Sequence, residues 1–108
     1  EDAPPMSEGA TEESRGAYHS AEIEFVFGML SSKHLPWRPE DRKLSQLMSI
    51  YWANFAKAGD PNGPGLPKWP QYNSEDGYQL MHLNFNPSAT KDEHRDRYEF
   101  LDSRSRFK

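Results

Sequence analysis

Residues 16–28 read GAYHSAEIEFVFG, and ordered structure is expected to begin with this stretch. Before it, residues 1–15 carry five acidic side chains among Pro, Ser, Gly and Thr, with no apolar period, which predicts a flexible acidic lead-in. Within the stretch, Ser20 is placed to cap a short helix over residues 21–27, and Gly28 is placed to end it. A short strand is the competing prediction, because β-branched and aromatic residues dominate residues 23–27.

A long helix over residues 39–58 is the clearest element downstream. Pro39 suits a first helical turn, and Gly59 suits the position just past the last one. Residues 60–65, DPNGPG, cannot continue a helix. Between the two helices, residues 29–38 form a connector. The apolar residues of the helix recur at helical steps: Leu44, Leu47, Met48, Tyr51, Trp52 and Phe55.

The last third of the chain predicts one strand and one helix. Residues 78–85 read as a strand with Met81, Leu83 and Phe85 on one face, and residues 86–87 end it. Thr90 and Glu93 match a capping box that would begin a final helix. A strand without a partner leaves its backbone groups unpaired. We therefore expect a mostly helical piece with one or two short strands, not a complete domain.

The composition indicates a core that is too small to stand alone. Only 17 of the 108 residues are Leu, Ile, Val or Phe, beneath the level that usually separates folded from disordered chains. Fourteen aromatic residues and a net charge of only -4 argue against disorder. We expect the apolar helical stripe of residues 44–55 to pack on a sheet that lies outside this chain.

Several classes of protein and site are disfavoured. No apolar run approaches the length of a membrane span. Acidic residues outnumber Lys and Arg by 17 to 13, so the chain lacks the excess positive charge that favours nucleic-acid binding. The absence of cysteine excludes disulfides, thiolate metal sites and a Cys nucleophile. The first residues have neither a basic start nor an apolar segment, so we expect no signal peptide in this chain. The four histidines share no metal-ligand spacing, and no metal or cofactor is expected.

His19 is the candidate functional histidine. It follows Gly16 and precedes a helix start, so the sequence predicts a tight loop from which the imidazole projects. His34, His82 and His94 lie in a connector, a strand and a charged helical turn, where structural roles are the better interpretation. Periodicity alone gives a catalytic role for His19 little weight.

Residues 16–28 resemble the catalytic-histidine segment of the type B carboxylesterase/cholinesterase family. That segment has a small residue, a hydrophobe, His, Gly or Ser, any residue, Glu, Ile and an aromatic-rich run ending in Gly. Residues 51–62, YWANFAKAGDPN, followed by Trp69, Pro70 and Tyr72, are similar to the family's signature helix and turn. Residues 78–84 resemble its late strand, and the tail resembles its C-terminal helix. The resemblance runs in order from residue 16 to about residue 102.

The resemblance implies that residues 16–108 are the C-terminal part of an α/β-hydrolase domain. His19 would be the histidine of the catalytic triad, acting first as general base and then as general acid. Glu22 would hydrogen-bond into the loop that holds the imidazole, or it is an ordinary first-turn carboxylate. Tyr18 and Phe25 are candidates to line the substrate pocket, although packing is the stronger interpretation for both.

The family features that are missing from the sequence point to a partner. No Gly-x-Ser-x-Gly string, paired-glycine oxyanion loop or suitably placed triad acid occurs. We therefore expect this chain to be inactive alone. Its expected partner is the N-terminal portion of the same esterase, and the two together would cleave a small-molecule ester. How the chain arises, by proteolysis, a split gene or truncation, stays open.

Two alternatives remain. One is a non-catalytic adhesion or interaction protein on the same fold. The other is a free-standing helical adaptor. The sequence leaves the ester specificity and the compartment open, while the family resemblance favours secretion.

Overall fold

The computed structural model describes residues 17–105. The predicted acidic lead-in, residues 1–15, lies outside the described residues. Helices dominate and two short strands accompany them, as predicted. In chain order the elements are α1 (Ile23–Val26), a 3-10 turn (Leu30–Ser32), α2 (Pro39–Ala58), β1 (Gln79–His82), β2 (Ser88–Lys91) and α3 (Arg95–Ser105).

The described chain divides into two compact units. The first comprises residues 17–67 and 83–87, and so contains α1, the 3-10 turn and α2. The second comprises residues 68–82 and 88–105, and so contains both strands and α3.

In the first unit, α1 is a helix, and the competing strand prediction is wrong. It is shorter than predicted, because Ser20 has a positive φ of 63° and belongs to the turn before the helix, where it cannot act as the N-cap. The predicted end at Gly28 is confirmed. Gly28 has a φ of 64°, and the N–H groups of Gly28 and Met29 reach back to the carbonyls of Phe25 (3.2 Å) and Glu24 (2.8 Å). This is a Schellman arrangement, which needs the left-handed conformation that glycine adopts without cost.

The bounds of α2 are those that the sequence predicted. At its start, the Asp41 carboxylate accepts the backbone N–H of Arg38 at 2.8 Å, which satisfies a donor that the helix itself cannot pair. At its end, Gly59 has a φ of 70° and its N–H bonds to the Phe55 carbonyl. Local signals at both ends were therefore sufficient to define this helix.

The core of the first unit lies between α1, the 3-10 turn and α2. Phe25, Leu30, Leu44 and Met48 are buried together, and four partly buried residues pack against them: Val26, Trp37, Leu83 and Phe85. The expectation that the whole stripe of α2 faces an absent sheet is therefore wrong for its inner edge, which this chain buries itself. Its outer edge is different, because Trp52 and Phe55 keep 39% and 60% of their surface exposed.

Side chains of α2 also hold the turn-rich segment that follows it. The hydroxyl of Tyr51, a fully buried side chain, donates to the Pro67 carbonyl, and burial raises the pKa of this phenol. The Asn54 amide donates to the carbonyls of Pro61 (3.2 Å) and Asn62 (3.4 Å). The DPNG turn is thereby tied to the helix that precedes it.

In the second unit, β1 and β2 form an antiparallel hairpin with Gln79 opposite Lys91 and His82 opposite Ser88. The predicted lone strand over residues 78–85 is therefore wrong in two respects: it is shorter, and it has a partner. It ends at His82 because Leu83 and Phe85 leave the ladder and pack against the core of the first unit.

The predicted capping box of the last helix is also wrong. Thr90 is part of β2, where its hydroxyl lies 2.6 Å from Nε2 of His82, and α3 begins only at Arg95. In the segment before α3, the Asp92 carboxylate accepts hydrogen bonds from the His94 N–H at 2.9 Å and from the Tyr72 hydroxyl at 2.7 Å. These bonds, the Tyr72 hydroxyl above all, hold the pKa of Asp92 below its usual range.

Candidate active site

His19 occupies the second position of a tight turn. The turn spans residues 18–21 and is closed by a hydrogen bond from the Ala21 N–H to the Tyr18 carbonyl at 3.1 Å. Its third residue, Ser20, has the positive φ that marks a type II turn. The imidazole-bearing residue is exposed. The tight loop that the sequence predicted at His19 therefore agrees with the observed turn.

The positive φ at Ser20 explains why a small residue stands beside His19. An L-residue in this conformation crowds its Cβ against the backbone, which costs roughly 1–2 kcal/mol. The Ser20 hydroxyl donates to the His19 carbonyl at 2.6 Å, a local bond that offsets part of this cost.

The helix α1, which follows this turn, is anchored by two hydroxyls of α2. Ser45 donates to the Phe25 carbonyl at 2.8 Å, and Ser49 donates to the Val26 carbonyl at 2.7 Å. The last carbonyls of a helix have no partner within the helix, so external donors stabilise them. The turn that carries His19 is consequently attached, through α1, to the longest element of the unit.

Phe25 anchors α1 from its apolar side. The ring is only 2% exposed and meets Trp37 edge to face, with the ring centroids 5.7 Å apart. The indole N–H of Trp37 in turn donates to the Leu30 carbonyl. In this chain Phe25 is therefore a core residue, in agreement with the packing interpretation.

An ion pair provides a third anchor for α1. The Lys33 ammonium lies 2.7 Å from the Glu24 carboxylate, whose side chain is 14% exposed. The hydrogen bond from Lys33 lowers the pKa of Glu24, and the carboxylate raises the pKa of Lys33. The pair closes the segment between α1 and the 3-10 turn.

We predict that Glu24→Gln lowers the stability of the protein most near neutral pH. Because the folded-state pKa of Glu24 is depressed, its carboxylate stabilises the fold above the unfolded-state pKa. This contribution is lost as the pH falls toward the folded-state value. The effect should be small, since Lys33 is half exposed and solvent screens the pair. Thermal unfolding of both proteins between pH 7 and pH 3 measures it, and a Tm difference that grows toward acid pH would contradict the assignment.

The two remaining site candidates lie next to His19 in the chain. Glu22 is exposed at the N-cap position of α1, where its side chain makes no capping hydrogen bond. Tyr18 is half-buried, and its carbonyl closes the turn. Tyr18 is therefore the first residue of the His19 turn, and Glu22 directly follows the turn without capping α1 through its side chain.

Sequence reasoning missed Ser45, Ser49 and Lys33, which fix α1. One signal was available: the two serines stand four residues apart, which places both on one helical face beside buried Leu44 and Met48. Two hydroxyls on a buried face require acceptors. Which carbonyls accept them depends on the fold, and the pattern alone does not reveal it.

Within residues 17–105, no cluster of three or more His, Asp or Glu side chains is arranged to hold a metal ion. No helix in this part of the chain has the length and apolar character needed to cross a membrane.

Comparison with known proteins gives one consistent result. The sequence profile of the Carboxylesterase family matches residues 2–101. The chain is similar to Carboxylesterase 5A of Canis lupus familiaris, with 47% identity over 73 residues, which covers 63% of this chain and 13% of that protein. It is also similar to acetylcholinesterase of Bungarus fasciatus, with 41% identity over 78 residues, which covers 70% of this chain and 13% of that enzyme.

A solved structure agrees. A PNB esterase superposes with a TM-score of 0.63 at 28% identity, covering 77% of this chain and 17% of the other. The expected fold class, part of an α/β-hydrolase fold, is thereby confirmed. The chain spans about an eighth of the length of its curated relatives, whose alignments cover 13% of each.

Proposed function

Because this chain belongs to the carboxylesterase family, we propose that it carries the triad histidine of a serine esterase. In this proposal His19 is the general base, and the nucleophilic serine and the triad acid lie in the N-terminal portion of the same esterase. That portion is the partner of this chain, and a small-molecule ester is the substrate. The chain alone is inactive, because a general base without its nucleophile has nothing to activate.

The observation that carries the proposal is the conformation of residues 18–21. The family-like string places a histidine before a small residue, and in the structure that small residue adopts the positive φ of the tight turn. A general base has to project from the backbone and yet be held in place. The exposed imidazole position and the anchored helix behind it meet both requirements.

The proposed chemistry is acyl transfer in two halves. In the first half a neutral imidazole nitrogen of His19 takes the serine proton while the serine oxygen attacks the ester carbonyl. The resulting imidazolium gives that proton to the departing alcohol oxygen, which leaves an acyl-serine. In the second half the imidazole takes a proton from water as the water oxygen attacks the acyl carbonyl. The acyl–serine bond then breaks, the carboxylic acid is released, and the imidazolium returns the proton to the serine oxygen. Histidine suits both roles because one imidazole nitrogen can accept a proton and then release it again.

The surface of α2 and α3 supports the expected partner. Eleven large apolar side chains remain exposed in residues 17–105, and those on the two long helices include Trp52, Phe55, Tyr98, Phe100 and Leu101. Trp52 and Phe55 stand three residues apart on one face of α2, and apolar side chains that share an exposed face form a surface suited to packing. In the proposal, these side chains pack against the remainder of the α/β-hydrolase domain.

Complementation tests the proposal. We expect this chain and the N-terminal portion to be inactive separately and to hydrolyse p-nitrophenyl acetate when they are combined, with stoichiometric co-elution on gel filtration. Co-elution without hydrolysis, in a complex whose N-terminal portion carries the elbow serine, would refute the esterase assignment. It would then favour the non-catalytic interaction protein on the same fold.

A further inference from the structure

Two serine hydroxyls of α2 lie one helical turn apart and both point at the C-terminal end of α1. Ser45 is 4% exposed and donates to the Phe25 carbonyl at 2.8 Å. Ser49 donates to the Val26 carbonyl at 2.7 Å and also lies 3.3 Å from the Phe25 carbonyl oxygen. Both bonds run from side chains of α2 to the backbone of α1, so they link the two helices directly.

The position of α1 depends on such links. A helix of four residues is far too short to be stable by itself, so contacts with its surroundings determine where it lies. The buried ring of Phe25 fixes how deeply α1 sits, but apolar contacts are not directional. Hydrogen bonds have preferred distances and angles, so the two hydroxyls restrict how α1 slides and rotates over α2.

A continuous series of backbone hydrogen bonds connects this end of α1 to His19. The Val26 N–H bonds to the Glu22 carbonyl at 2.9 Å, and the Ile23 N–H bonds to the Ser20 carbonyl at 3.3 Å. The next bond in the series closes the His19 turn itself, between Ala21 and Tyr18. A displacement of α1 is therefore transmitted to the turn that holds the imidazole.

We propose that Ser45 and Ser49 are positioning residues for His19. This inference rests on the proposed function of His19, and it assigns no contact between either serine and the substrate. The serines set the position of the general base by holding α1. Their loss should therefore slow proton transfer and lower kcat.

The test uses the complete esterase and the double substitution Ser45→Ala with Ser49→Ala. We expect kcat for p-nitrophenyl acetate to fall about 10- to 100-fold, the loss that a displacement near 1 Å produces, with KM changed less than about twofold. Circular dichroism well below Tm verifies that the variant is folded. The matched control is Ser103→Ala in α3, which deletes a hydroxyl that donates to the Phe100 carbonyl at 2.6 Å and should leave kcat unchanged.

Ser49→Ala alone and Ser49→Thr complete the test. Ser49 is only half-buried, so Ser49→Ala should fold even if the double variant does not, and it should show the same selective fall in kcat. Ser49→Thr keeps the hydroxyl and should restore kcat. An unchanged kcat in a folded variant, a rise in KM alone, or a failure of threonine to restore kcat would each overturn the inference. His19→Ala, measured in parallel, separates the positioning role of the serines from the catalytic role of His19. Full activity of that variant would overturn the proposed function.

Discussion

Replacing His19 with alanine should lower the kcat of the complete esterase by about 10⁴- to 10⁶-fold, the order of the losses seen when single members of a catalytic triad are removed. Without the imidazole, the serine keeps its proton and attacks the ester poorly, and the departing alcohol receives no proton. The variant should still fold and assemble, because His19 is exposed and contributes its backbone, not its ring, to the turn. Hydrolysis of p-nitrophenyl acetate, normalised to folded protein, measures the loss.

His34→Ala is the matched control for this experiment. His34 is an exposed histidine of the same unit, in the connector before α2, and its loss should leave kcat within about twofold. If His19→Ala kept near-normal turnover, or if His34→Ala lost as much as His19→Ala, the histidine assignment would be wrong.

Phe25→Ala should destabilise the protein by about 3–5 kcal/mol, as expected for truncating a buried phenylalanine. The ring is 2% exposed and packs among Leu30, Leu44 and Met48, so its removal leaves a cavity at the centre of the first unit. It also removes the edge-to-face contact with Trp37. Chemical denaturation of the complete esterase, or a large fall in Tm, measures the effect.

The same substitution decides between the two interpretations of Phe25. A core residue predicts a large loss of stability, and Phe25→Leu, which retains most of the side-chain volume, should lose much less. A ring that lines the substrate pocket predicts the opposite pattern: a changed KM for bulky esters with stability close to that of the parent protein. The second outcome would contradict the burial described above.

The sequence pattern predicted the bounds of α2 correctly and those of β1 wrongly, for physical reasons. The bounds of α2 were predicted because proline, the apolar stripe and Gly59 are local signals that agree with one another. The extent of β1 was not, because Leu83 and Phe85 continue its alternation although they pack in the core of the first unit. Alternation shows which residues share a face, but it does not show which element covers that face.

Two further errors have the same kind of cause. The partner strand β2, whose sequence is SATK, lacks large apolar residues and therefore gave no strand signal. Thr90 and Glu93 have the spacing of a capping box, but Thr90 pairs in the hairpin and Asp92 binds the His94 N–H instead. In both cases hydrogen bonds between elements overrode a local pattern.

The family resemblance identified His19, but it did not identify the serines that hold α1. His19 was singled out because the string around it resembles a known catalytic segment, and periodicity alone gave it little weight. Ser45 and Ser49 carried a weak signal, their spacing on a buried helical face. Their acceptors became known only once α1 and α2 were seen together.

The most direct measurement is a crystal structure of the complete esterase, with this chain joined or bound to its N-terminal portion. The quantity to read is the distance between the nearer imidazole nitrogen of His19 and the hydroxyl oxygen of the elbow serine. We expect a hydrogen bond of about 2.6–3.2 Å, or slightly longer without substrate. A His19 ring that faces solvent, with another histidine bonded to that serine, would contradict it.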